Sequence, residues 1–99
     1  MPVVIKAPRV SQMNSPKSGN AVANQFVIRT PQGVYFQSYQ TVIAFIDIGG
    51  NITLDYRAWD YSRTTNKYRS IFLGENTTDT RKKIASGVYA LADLNSNRV

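Results

Sequence analysis

The 99-residue sequence contains no cysteine and no histidine. Without cysteine there can be no disulfide, no thiolate nucleophile and no sulfur-ligated zinc site. Without histidine, the commonest general base and metal ligand is also missing. These two absences exclude most hydrolase and metalloenzyme sites, so we predict a non-enzymatic protein with no catalytic residues, no metal and no cofactor.

Long apolar runs are missing as well. No stretch of about 18 apolar residues is present that could cross a bilayer as a helix, and the apolar stretch within residues 1–10 is too short for a secretory signal. We therefore expect no membrane contact and a cytoplasmic location. A chain of 99 residues is long enough for one modest hydrophobic core.

Acidic residues are scarce, and the charge is unevenly distributed. The sequence has 12 lysines and arginines against 6 aspartates and glutamates, a formal charge of +6. No acid precedes Asp47, and seven basic residues lie between positions 57 and 83. This distribution favours a partner that carries phosphate or carboxylate groups. The alternative is a surface charged only for solubility.

Residues 1–24 hold three prolines and show little periodicity. We predict that they form a flexible basic N-terminal arm with a short strand at residues 3–6. The remaining residues, 25–99, are predicted to form a single α+β domain.

The first half of this domain has the pattern of strands. Apolar alternation on both sides of the turn sequence at residues 30–33 predicts a hairpin. The apolar run 42–48 predicts the most buried strand. Glycines at positions 49 and 50 then reverse the chain into a strand at residues 52–57. The result is an antiparallel β-meander of about four strands.

The second half has helical spacing. A helix is predicted over residues 62–73, because Ser62 suits an N-cap and Gly74 suits a C-terminal stop. A second short helix is predicted over residues 78–86, followed at residues 88–94 by a short strand or an extended tail. We expect both helices to pack on one face of the sheet. Their apolar contacts would be Tyr68, Ile71, Phe72 and Ile84.

The start of the first predicted helix is the main candidate binding site. Its free backbone N–H groups and positive dipole end stabilise anions. The hydroxyl and cationic side chains gathered there would bind phosphate or a nucleotide: Ser62, Arg63, Thr64, Thr65, Lys67 and Arg69. The alternative is that Ser62 only caps the helix and the threonines complete the turn.

Two further sets of residues could extend this site. A secondary basic patch would consist of Arg57, Arg81, Lys82 and Lys83, for which a solvated helix face is the alternative. Bases could stack on Tyr39, Tyr56, Trp59 and Tyr61. The alternative is that most of these aromatic residues are half-buried in the core.

Two segments together suggest a relationship. Ser38-Tyr39-x-Thr41 in a strand, followed by Ser62-x-Thr64-Thr65-x-Lys67 at a helix start, resembles a family of small uncharacterised bacteriophage proteins. The resemblance extends over residues 25–94 and implies a phage or prophage origin, hence the cytoplasm of a bacterial host. It carries no catalytic residue to transfer.

Three functions fit these observations. The first is a phage accessory protein that binds a phosphate-bearing ligand, with nucleic acid favoured over a free nucleotide. The second is an anti-defence protein that acts as a homo-oligomer and sequesters a nucleotide signal or blocks a host immune protein. The third is a minor structural or assembly protein whose arm orders on a partner.

Overall fold

A computed structural model of the chain describes residues 8–96. The short strand predicted at residues 3–6 lies outside this range. The described chain folds into six strands and two helices. In chain order these are β1 (Arg9–Asn14), β2 (Ala21–Thr30), β3 (Gly33–Ser38), β4 (Thr41–Asp47), β5 (Ile52–Asp55), α1 (Arg63–Leu73), α2 (Thr77–Ala85) and β6 (Ala90–Ala92).

The strands form one sheet in the order β1-β2-β3-β4-β5-β6. The first five make an antiparallel meander. After β5 the chain passes through α1 and α2 and returns as β6, which pairs in parallel with β5. The α+β class with two helices is confirmed, but the predicted count of about four strands is wrong, because the sheet has six and is mixed.

The two strands beyond the predicted meander lie at the edges of the sheet. The sequence did not predict β1, whereas β6 lies within residues 88–94, where a short strand was one of two alternatives. In β1 only Met13 is buried, and all three residues of β6 are exposed. Neither strand therefore has the apolar alternation by which a half-buried strand is recognised. As a consequence, residues 9–14 and 21–24, which the sequence assigns to a flexible arm, belong to β1 and β2.

The core lies between the helices and one face of the sheet. Phe36, Ala44 and Leu54 are neighbours across β3, β4 and β5, and each is fully buried. Tyr68 of α1 packs against them, with Phe72, Leu73 and Ile84 at the margin. Aligned apolar side chains on one face of a sheet give the helices a continuous surface to cover.

The burial of Ile71 was wrongly predicted, since its side chain is 45% exposed. The buried face of α1 is instead formed by residues at the spacing i, i+3, i+4 and i+7: Thr65, Tyr68, Arg69 and Phe72. Ile71 lies outside this stripe because each helical residue is rotated by about 100° from the one before.

Both helices begin and end as their sequences indicate. The Ser62 hydroxyl accepts a hydrogen bond from the Thr65 amide at 3.1 Å, and Asn76 caps α2 by accepting from the Asp79 amide at 2.8 Å. α1 ends at Gly74, which takes the left-handed conformation with φ 73°. These caps satisfy backbone groups that a helix cannot bond internally.

Gly33, at the turn between β2 and β3, is the glycine whose replacement we expect to be most harmful. Its φ is 150°, and a Cβ there would press on the Ile46 carbonyl oxygen and lie 2.8 Å from the Asp47 Cα. Both atoms belong to the backbone of the neighbouring strand β4. We expect Gly33→Ala to lower the free energy of unfolding by about 3–5 kcal/mol, measured by urea denaturation.

Gly19→Ala is the matched control. Gly19 also has a positive φ, 72°, but a Cβ there would meet nothing within 4 Å. Only the backbone strain of about 1 kcal/mol should then appear. Equal losses for the two variants would contradict the close strand approach at Gly33.

Candidate functional site

The residues predicted to bind phosphate at the start of α1 divide into two groups. Ser62, Arg63, Thr64 and Lys67 are exposed, whereas Thr65 and Arg69 are fully buried. Ser62 caps the helix, as the alternative interpretation requires. The helix start is therefore formed as expected, but only part of the predicted set faces solvent.

Thr65 fastens the start of α1 to the sheet. Its hydroxyl lies 2.9 Å from the hydroxyl of Ser38, the last residue of β3, and both side chains are buried. A hydroxyl pair inside the protein satisfies two polar groups that would otherwise be costly to bury. Thr65 is thus engaged within the fold and does not belong to an accessible phosphate site.

Arg69 is the largest fully buried side chain of the described chain. Its guanidinium donates to the backbone oxygen of Trp59, to Asn66 Oδ1 at 3.1 Å and to Thr77 Oγ1 at 2.6 Å. Burial lowers the pKa of Arg69, while the negative charges of Asp60 and Glu75 act in the opposite direction. Arg69 therefore connects the loop after β5 to both helices and is not accessible to a ligand.

The exposed residues of the helix start line a cleft of about 540 Å³, which we call the helix-start cleft. Six of its eight lining residues define it: Asp60, Tyr61, Ser62, Arg63, Lys67 and Thr77. Asp60 is already engaged, because it accepts from Asn66 Nδ2 at 2.6 Å and lies 3.4 Å from Arg81. Within residues 8–96, no carboxylate lies within 4.0 Å of the charged groups of Arg63 or Lys67.

The secondary basic patch does not form one continuous group. Arg81 pairs with Asp60, and Lys83 pairs with Glu75 at 2.8 Å. Lys82 is exposed on α2. Arg57 lies over the ring of Tyr56, 5.1 Å from its centroid. Arg57 and Lys82 thus remain outside the ion pairs of the described chain.

The four stacking candidates also differ in exposure. Tyr39, Tyr56 and Tyr61 are 54%, 46% and 70% exposed. Trp59 is half-buried, with the guanidinium carbons of Arg69 and Arg81 5.5 and 5.8 Å from its ring. The three tyrosines are therefore open to a ligand, while Trp59 contributes to the packing of the fold.

A second cleft, also of about 540 Å³, lies beside the first at the end of the sheet, and we call it the sheet-end cleft. Six of its residues define it: Thr41, Asp55, Arg57, Tyr61, Asp93 and Asn95. Tyr61 lines both clefts. Sequence reasoning missed Asp93 and Asn95, because their neighbours in space are about 40 to 50 positions away in the chain.

Asp55 and Asn95 form the floor of the sheet-end cleft. Asp55 is 2% exposed and accepts from the Leu94 amide at 2.9 Å and from Asn95 Nδ2 at 3.1 Å. Asn95 also bonds both backbone groups of Val42. Asp93 has a lowered pKa because it accepts the Asn95 amide, with a further contribution from the charge of Arg57. This cleft consequently contains fixed negative charge.

Glu75 is the acceptor of a separate polar cluster behind the helices. It receives Lys83 Nζ at 2.8 Å, the Tyr89 hydroxyl at 2.5 Å and the Thr80 hydroxyl at 2.6 Å. Burial opposes the charge on Glu75, but these three hydrogen bonds outweigh burial and lower its pKa. Burial and the bond to Glu75 raise the pKa of Tyr89. No sequence pattern indicates this cluster.

Comparison with known proteins identifies the family. A model described as "Family of unknown function (DUF8033)" matches residues 9–87. The chain belongs to this family. The match includes β1, which the sequence alone assigns to an arm, and both helices. No curated protein and no solved structure matches the chain.

Neither helix of the described residues is long and apolar enough to cross a membrane. Within residues 8–96 there is also no group of three or more carboxylates placed to hold a metal ion.

The role of Arg69 can be tested by Arg69→Met. The variant would leave Trp59 O, Asn66 Oδ1 and Thr77 Oγ1 without their donor, so we expect the free energy of unfolding to fall by about 3 kcal/mol. Arg63→Met, an exposed position on the same helix, should change it by less than about 0.5 kcal/mol. Similar small changes in both variants, measured by thermal or urea unfolding, would contradict a structural role for Arg69.

The lowered pKa of Glu75 predicts a specific pH dependence of stability. A carboxyl whose pKa is lower in the folded state stabilises the fold above its unfolded value of about 4.3, and this contribution is lost as the pH falls through the folded pKa. We expect Glu75→Gln to be less stable than the natural protein at pH 7 by about 1–2 kcal/mol. The difference should shrink towards about pH 3. A difference that is independent of pH would contradict the prediction.

Proposed function

We propose that this domain is a non-enzymatic protein that binds nucleic acid, with the phosphate backbone received by the helix-start cleft. The charge balance of that cleft is the observation that carries the proposal. Arg63 and Lys67 are exposed and, within the described chain, have no carboxylate within 4.0 Å, while the lining acid Asp60 is already bonded. Cations placed in this way neutralise phosphates and release counterions.

The hydroxyls of the helix start add donors to these charges. The Ser62 oxygen accepts from the Thr65 amide, so its own hydrogen remains available to a phosphate oxygen. Thr64 is exposed beside it, and Arg57 lies close by in the adjoining sheet-end cleft. Phosphate is recognised by such combinations of cation and hydroxyl at a helix start.

We also propose that the family is encoded by phages and acts in the cytoplasm of a bacterial host. This part of the proposal rests only on the resemblance of the Ser38-Tyr39-x-Thr41 and Ser62-x-Thr64-Thr65-x-Lys67 segments to small phage proteins.

Capture of a free nucleotide signal, as an anti-defence protein would require, is the second candidate. The shape of the surface favours it, because two clefts of about 540 Å³ meet at Tyr61 and each falls within the size range of small-molecule sites. The two functions differ in the length of ligand that they need. A free nucleotide would fit within the helix-start cleft and the sheet-end cleft together, whereas a nucleic acid would extend beyond both clefts.

The nucleic-acid function predicts binding that weakens steeply with salt. The double variant Arg63→Ala/Lys67→Ala should reduce affinity at low salt and flatten the plot of log K against log salt concentration. If both residues contact phosphates, the slope should fall by about 1.4 for single strands and about 1.8 for duplexes. Fluorescence anisotropy of a labelled oligonucleotide at several salt concentrations measures both quantities.

Arg29→Ala is the control for a general loss of charge. Arg29 pairs with Val34 near the start of β3, whereas the helix start is joined to Ser38 at its end, so the two sites are separated by roughly 13 Å along the strand. This variant should retain most of the affinity and slope. Equal effects at Arg29 and at the helix start, or binding without salt dependence, would contradict the proposed site.

A further inference from the structure

Resting on the nucleic-acid function proposed above, we propose that the ligand is a single strand, with an unpaired base stacked on Tyr61 in the sheet-end cleft and the adjacent phosphate in the helix-start cleft. Single-stranded DNA and single-stranded RNA both contain the feature that this site would recognise, an unpaired base next to a phosphodiester.

Tyr61 offers an exposed aromatic ring between the two clefts. Its side chain is 70% exposed and lines both clefts. The residues on either side of it are fixed, since Asp60 accepts from Asn66 at 2.6 Å and Ser62 caps α1 at 3.1 Å. A tyrosine has only two side-chain torsions, so its ring loses less entropy than a long flexible side chain when a base stacks on it.

The charges of the two clefts set the direction of the strand across Tyr61. On one side lie Arg63 and Lys67, without carboxylate neighbours in the described chain. On the other side lie the carboxylates of Asp93 and the buried Asp55 against one cation, Arg57, so this cleft opposes a phosphate more than the helix-start cleft does. The exposed Asp93 can accept a hydrogen bond from the edge of a base. The phosphate therefore belongs in the helix-start cleft and the base in the sheet-end cleft.

Two more exposed tyrosines lie at the same end of the sheet. The backbone of Tyr39, in the turn between β3 and β4, is held by Asn24 at 2.7 Å and by Gln37 at 2.8 Å. Tyr56, just after β5, donates its amide to Ala92 at 3.0 Å, and its ring carries Arg57. Each is the chain neighbour of a residue that lines the sheet-end cleft, so both rings are candidates for stacking by neighbouring bases of a strand.

The other three tyrosines are used inside the fold. Tyr35 stacks on Phe45 with ring centroids 4.4 Å apart, and Tyr68 and Tyr89 are 5% and 6% exposed. The exposed tyrosines thus lie at one end of the sheet or, in the case of Tyr61, in the loop that leads from this end to α1. In a duplex the faces of the bases are covered by their neighbours, so rings of this kind can be used only by an unpaired strand.

The test compares the full-length protein with labelled oligonucleotides of about 12 nucleotides, a length within the usual range of single-strand sites. Four ligands are compared: single-stranded DNA, single-stranded RNA, the DNA duplex of the same sequence, and a nucleoside monophosphate added as a competitor. We expect at least one single strand to bind at least about tenfold more tightly than the duplex, and Tyr61→Ala to weaken its binding by about tenfold. Tyr61→Phe should keep affinity within about twofold, because the ring remains.

Ile48→Ala is the matched control, since Ile48 is an exposed apolar side chain, 84% accessible, at the opposite end of the sheet. It should leave affinity unchanged. The salt slope of Tyr61→Ala should equal that of the natural protein, because stacking releases no counterion. Duplex binding as tight as single-strand binding, an unchanged affinity of Tyr61→Ala, or a monophosphate that competes as well as the strand would each overturn the inference.

The outcomes separate this inference from the function on which it rests. If both nucleic acids bind with steep salt dependence but Tyr61→Ala has no effect, the nucleic-acid function stands and the single-strand inference is overturned. If no oligonucleotide binds and Arg63→Ala/Lys67→Ala has no effect, both are overturned.

Discussion

The buried guanidinium of Arg69 is the interaction on which the arrangement of this surface most depends. It joins the carbonyl of Trp59 in the loop after β5 to Asn66 in α1 and to Thr77 at the start of α2. A buried cation is costly unless donors and acceptors are matched. Nη1 and Nη2 of Arg69 have such acceptors, whereas its Nε is buried without a partner in the described chain. Through the bonds of Nη1 and Nη2, Arg69 fixes the loop that carries Arg57 and Tyr61 against the start of α1. The hydroxyl pair of Ser38 and Thr65 then fastens that start to β3.

Local sequence signals were sufficient for most of the fold. The hairpin of β2 and β3, the buried β4 and both capped helices follow from alternation, turn residues and N-caps within a few positions of each other. The edge strand β1 did not follow, and β6 remained one of two alternatives, because an exposed edge needs no apolar pattern. The pairing of β6 with β5 is also non-local, since two helices separate these strands in the chain.

The candidate site was only partly predictable, for a related reason. Residue type alone singles out the helix start as a candidate site, but it does not say which face of the helix a cation occupies. The spacing of Thr65, Tyr68, Arg69 and Phe72 contains that information, and it places Arg69 in the buried stripe. Asp93 and Asn95 could not be found in this way, because the sheet-end cleft is formed by long-range hydrogen bonds to β4 and β5.

The same few contacts therefore build a surface of two parts. Arg63 and Lys67 outnumber Asp60 on one side of Tyr61, and Asp55 and Asp93 outnumber Arg57 on the other. This division is the central claim, and an NMR titration of the ¹⁵N-labelled protein with a short single-stranded oligonucleotide tests it most directly. The account predicts that amide shifts concentrate at residues 39–41 and 57–67, with residues 29–34 and 46–52 unaffected. Shifts centred on residues 29–34 and 46–52, or no shifts at low salt, would contradict it.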